Sequence, residues 1–179
     1  MNLKEKFFDI FKMYVEKKSS GKKISKTLKK LLPYEIDVQL IRLGEKNDGG
    51  YLVPDDFVGI DKNYSAGVGF LTQFEKDLET RYLIKSNMLD FNEIEKKILP
   101  SKASFLKKKL GLVSNKQEIS INDWIIQDDK DIILKLDIEG DEYASLIDIS
   151  EENLKKVRIL VIEFHDLRNL RNDIFLNLF

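Results

Sequence analysis

The chain has 179 residues, no cysteine, one histidine, and 30 Lys and Arg against 31 Asp and Glu, a formal net charge of -1. At ~100–200 residues per domain this is one domain with at most a small appendage. Without cysteine there is no disulfide scaffold, no thiolate zinc site and no thiol nucleophile, and any Ser-His-Asp scheme must run through His165. Balanced charge gives no nucleic-acid footprint, and the cysteine-free composition fits a soluble, cytoplasmic protein.

The charge is unevenly placed. Residues 1–32 hold ten lysines against Glu5, Asp9 and Glu16, a net of +7, which leaves -8 for residues 33–179. Phe7, Phe8, Phe11, Tyr14 and Val15 recur at helical spacing, which predicts an amphipathic helix over 3–18 stopped by Ser19-Ser20-Gly21. The apolar stretch 7–15 contains Asp9 and Lys12, so it is neither a signal-peptide core nor a membrane span. Ile24, Leu28, Leu31 and Leu32 predict a second basic helix over 22–32, closed by Pro33. Two readings of this extension (1–33) stay open: a helical pair packed with its lysines in water, or weak attachment to an anionic membrane surface or partner.

Residues 34–179 read as the main domain. Two short strands joined by a turn at Asn47-Asp48-Gly49-Gly50 are expected between 38 and 53. A strand over 63–68 runs into Gly67-Val68-Gly69, and Phe74 with Leu78 marks a helix over 73–82. Residues 83–90 give a second strand ending at Asp90, and a third falls near 104–106 in an otherwise lysine-rich, patternless stretch. The dense apolar runs at 131–137 and 157–164 read as strands covered on both faces. A helix over 142–148 separates them, and Ser150 could cap another. Strands alternating with helices predict an α/β fold with a mainly parallel sheet.

In such a sheet, ligands sit beyond the carboxyl ends of the strands. Three ends carry chemistry. The first, Tyr64-Ser65-Ala66-Gly67-Val68-Gly69, lacks the third glycine of a dinucleotide-binding turn, but Asp90 about twenty residues on is placed to accept hydrogen bonds from ribose hydroxyls. At the second, alternation puts Asp137 and Glu139 on one face with Lys135, able to hold a divalent cation, hold hydroxyls or act as base; the plain alternative is helix capping by Asp141 and Glu142 with a Lys135–Asp137 ion pair. At the third, Glu163 and His165 share a face, and an imidazole oriented by a carboxylate can take a proton from a hydroxyl. Trp124 reads as a packing residue on a short helix, and Asp123 is a further candidate for the pocket.

The series 41–57 (IRLGEKNDGGYLVPDDF), 64–78 (YSAGVGFLTQFEKDL), 119–125 (ISINDWI), 133–143 (ILKLDIEGDEY) and 160–167 (LVIEFHDL) resembles, in order, the FkbM-type methyltransferases. The resemblance implies a Rossmann-like fold and S-adenosylmethionine-dependent O-methylation, with a sugar hydroxyl of a surface glycan or related product as acceptor. It implies that Ser65, Gly67 and Gly69 border the amino-acid part of the cofactor, that Asp90 holds its ribose, and that Asp137, Glu139 and His165 border the methyl group and acceptor. His165 is then the expected base, oriented by Glu163 or Asp137, with Mg2+ on Asp137 and Glu139 as the other way to activate the hydroxyl. Residues 48–51 match a family motif without an assignable role.

The family's usual C-terminal strand hairpin is not recognisable, which leaves the strand at 157–164 as an apolar sheet edge. Either a second copy of the chain covers it, as a homodimer, or the enzyme is a shortened one. The rival readings are a non-catalytic binding or partner module of the same fold and, last, an NAD-type oxidoreductase.

Overall fold

The computed structural model describes residues 19–126, 128 and 131–168. The helix expected over 3–18 lies outside them. Two compact units are present. The described residues of one are 19–34 and 166–168; the other is Glu35–His165. In the first, α1 (Gly21–Lys30) starts at Ser20, whose hydroxyl accepts the Lys23 N–H at 3.2 Å.

The second unit opens with an antiparallel hairpin, β1 (Leu40–Gly44) and β2 (Gly50–Pro54). Its turn is braced by the Arg42 guanidinium, which donates to the carbonyls of Glu45, Lys46 and Asn47 at 2.9–3.0 Å. There follow β3 (Lys62–Ala66), α2 (Gln73–Tyr82), β4 (Lys85–Asp90), a single 3-10 turn at Lys96–Ile98, and β5 (Ser104–Lys107). Next come the short β6 (Lys109–Gly111) and β7 (Glu118–Ser120), paired parallel, then α3 (Ile121–Ile125), β8 (Ile132–Leu136), α4 (Glu142–Asp148), α5 (Glu151–Leu154) and β9 (Val157–Ile162).

Five strands form one parallel sheet in the order β5-β4-β3-β8-β9. The chain moves outward one way from β3 and the other way from β8, so the order reverses between these two. All five residues of β8 are buried because the sheet is covered on both faces. Ile133 points into a core with Phe74, Leu78 and the hairpin's Leu43 and Val53; Ile132, Leu134 and Leu136 point into a second core with Ile121, Ile125 and Leu110. This is the expected α/β sheet, compatible with a Rossmann-like fold. The link from β4 to β5 contains only a 3-10 turn, so the missing helical pattern after Asp90 reflects a short crossover. β6 and β7, three residues each, are too short to leave a periodic signature. Among the described strands β9 is an edge, with Arg158 and Leu160 exposed. No helix among the described residues is long and apolar enough to cross a membrane.

Candidate active site

Beyond the carboxyl ends of the strands, where the strand order reverses, lies a cleft of about 780 Å3. Gly67, Gly69, Asp90, Asp137 and Glu139 all line it, with Asp48 and Gly49 of the hairpin turn.

The two glycines do different things. Gly67 has φ +74, and a Cβ there would lie 1.6 Å from the Asp137 carbonyl oxygen, so its bareness serves the close passage of β3's end past β8. Gly69 has φ +54 and nothing within 4 Å of the Cβ it lacks, which leaves its turn open. Asp90 ties this turn to β4. One of its oxygens accepts the Gly69 N–H at 2.9 Å, the other the Asn92 N–H at 2.7 Å, and each keeps a lone pair. Phe91, directly after it, lines the cleft and is 66% exposed.

Ser65 does not join them. It is fully buried, and its hydroxyl donates to Glu75 at 2.5 Å, away from the cleft. The reason is alternation: Ser65 points toward α2, where Glu75 shares the inner face with Phe74 and Leu78. Lys135 also points there, with its ammonium 3.7 Å from Glu75 and 5.4 Å from the centre of the Tyr51 ring. An ion pair of Lys135 with Asp137 is therefore replaced by one with Glu75. Asp123 accepts from the Ser114 hydroxyl and does not line the cleft, while Trp124 packs edge-on against Tyr64 at 5.1 Å.

On the β8 side, Asp137 and Glu139 do reach one group, but not by strand alternation. β8 ends at Leu136, and Glu139 has φ +58 with its side chain 84% exposed. His165 Nε2 lies 3.7 Å from Asp137 and 3.8 Å from Glu139. His165 itself stands just behind them, outside the cleft lining.

The carboxylate that orients His165 is neither Glu163 nor Asp137 but Glu142, in the first turn of α4. Its Oε1 is 2.8 Å from His165 Nδ1, and the carboxylate also accepts the N–H groups of Ile138 at 2.9 Å and Gly140 at 3.0 Å. The residue is fully buried. Burial alone would raise the Glu142 carboxyl, but the His165 hydrogen bond and the two backbone donors outweigh it and hold it below the usual range. His165 is raised above 6.5, first by the Glu142 hydrogen bond, against burial, and then by the charges of Glu142, Glu139 and Asp137. The capping pattern Asp141-Glu142 carried this signal, since an acid in the first turn after a glycine bend can brace the bend and reach a neighbouring strand end. Asp141 instead pairs with Lys109 at 2.8 Å.

Tyr51, from the motif without an assigned role, bridges the two strand ends: its hydroxyl is 2.9 Å from Asp137 and 3.1 Å from Glu163. Burial first, then both carboxylates, push its ionisation far upward, so it stays a donor. Asp137, Glu163 and His165 each offer one ligand atom within 4.8 Å of the others.

Comparison of the chain with protein-family models, with curated proteins and with solved structures gives no match.

Proposed function

We propose that the chain is a cytoplasmic S-adenosylmethionine-dependent O-methyltransferase acting on a hydroxyl-rich acceptor such as a sugar of a surface glycan. One observation carries the reading: the open Gly69 turn, Asp90, Asp137 and Glu139 line the same cleft at the reversal of the sheet, with His165 Nε2 set 3.7 and 3.8 Å from those last two carboxylates. Its volume, about 780 Å3, suits a nucleoside-sized ligand with an acceptor beside it. Asp90 retains lone pairs for ribose hydroxyls, and Phe91 offers an apolar face to a base.

The cofactor supplies a methyl group on a sulfonium, ready for in-line displacement. The Gly69 turn and Asp90 would hold that cofactor and Asp137 with Glu139 the acceptor, a positioning effect that can supply on the order of 7–11 kcal/mol at best. Asp137 and Glu139 accept hydrogen bonds from acceptor hydroxyls. His165 takes the hydroxyl proton at Nε2, with Glu142 steadying Nδ1–H, a contribution of typically ~10²–10⁴-fold. The base must be neutral to work, so activity rises as pH passes the raised value of His165. Magnesium fits less well. Glu139 stands out in solvent, and the closer donor set of Asp137, Glu163 and His165 mixes oxygens with an imidazole, whereas magnesium prefers oxygens.

Calorimetry with S-adenosylhomocysteine against NAD tests the reading, with micromolar binding of the former alone expected. His165→Ala should then abolish transfer and leave that binding nearly intact. Equal or preferred binding of NAD would overturn the assignment. A second reading, a non-catalytic binding or partner module, is favoured by His165 standing behind the cleft and leaning toward the protonated state; it predicts binding of S-adenosylmethionine or none at all, with no turnover on any acceptor.

A further inference from the structure

Ten residues of α1 hold five lysines and no acid. The helical period sets Ile24, Leu28 and Leu31 on one stripe and Lys22, Lys26 and Lys29 on the opposite side. Part of the stripe is covered, since Thr27 is buried and Ile24 half-buried. Its C-terminal part is open: Leu28 is 46% exposed, Leu31 45%, Leu32 62%, and Tyr34 just beyond 78%. Among the described residues, these leucines stay open.

We infer that α1 and the residues up to Tyr34 form an interfacial anchor for an anionic lipid surface. The chemistry is complementary in two ways at once. Three open leucines and a tyrosine form an apolar edge long enough to enter the headgroup boundary but not to span it, and the lysines of the opposite, polar face, a helix width away, stay within reach of the surface's negative potential. A polyanion such as nucleic acid would use the lysines and leave the leucines in water. The proposal is independent of the catalytic reading.

The test spins the full chain with phosphatidylcholine vesicles with and without phosphatidylglycerol. Binding is expected only to the anionic vesicles, weakening as salt is added. With roughly fivefold in affinity for each lysine near the surface, Lys22→Glu/Lys26→Glu/Lys29→Glu should lower binding by at least about a hundredfold. Leu28→Ser/Leu31→Ser/Leu32→Ser should also release the protein. Unchanged circular dichroism and thermal midpoint verify that both variants fold, as expected for exposed positions. No pelleting with anionic vesicles overturns the proposal. So does a leucine variant that binds as tightly as the parent, which would mark a plain polyanion site, or a lysine variant that binds undiminished, which would put the contact elsewhere.

Discussion

His165 Nδ1 and Glu142 Oε1 are 2.8 Å apart, a bond between a residue three past the end of β9 and the first turn of α4. It fixes which ring nitrogen faces the cleft-lining carboxylates. It also couples the fold to pH, because the raised imidazole and the lowered carboxyl stabilise each other.

For His165, held above 6.5, the stabilisation is fully present below pH 6.5 and is lost as pH rises through the raised value. For Glu142, held below 4.5, it is present above pH 4.5 and lost as pH falls through the lowered value. Glu142→Gln should therefore destabilise most between these limits, by about 1–3 kcal/mol, and less at alkaline pH. As the chain has one histidine, its proton resonance titrates without ambiguity. The inflection should lie above 6.5 in the parent and fall in the variant; a parent value at or below 6.5 would refute the coupling.

Tyr51 has one hydroxyl proton between two carboxylates, at 2.9 and 3.1 Å. Tyr51→Phe leaves Asp137 and Glu163 to repel each other and should cost about 1–3 kcal/mol by urea denaturation. Adding Glu163→Gln should recover part of that loss. Independent, additive effects would show that the bridge does not form.

The glycines should separate stability from binding. Gly67→Ala drives a methyl into the Asp137 carbonyl and should prevent folding or cost more than ~3 kcal/mol. Gly69→Ala meets no atom within 4 Å, so it bears only the left-handed backbone strain of roughly 1–2 kcal/mol. Its main effect should be weaker binding of S-adenosylhomocysteine, read by calorimetry on protein whose folding is verified by thermal melting.

Lys135 and Glu75 are both buried, 3.7 Å apart. Lys135→Met leaves an unpaired buried carboxylate and should cost about 3–5 kcal/mol, whereas Lys135→Met with Glu75→Gln should recover most of it, since the Ser65 hydroxyl can still donate to the amide oxygen. Thermal denaturation of the single and double variants decides this; simply additive losses would mean the two charges do not depend on each other.

Much of the architecture was legible locally. The dense apolar run of β8 is buried on both sides as expected, whereas that of β9 is covered on one face only, with Arg158 and Leu160 exposed at the sheet edge; with the spacing of Phe74 and Leu78, which needs a helix, these runs still dictated the α/β alternation. The cleft's location also followed, because ligands of an open parallel sheet sit beyond the carboxyl ends of the strands, where these glycines and acids cluster. What partners whom was decided only in three dimensions. Ser65 went to Glu75, Lys135 left Asp137 for Glu75, and Glu142 rather than Glu163 took His165. Those choices depend on strand order and on where β8 stops, and alternation predicts a side chain's face only while the strand lasts. One residue past Asp137 the backbone begins to turn, Glu139 adopts a left-handed conformation, and the local rule expires.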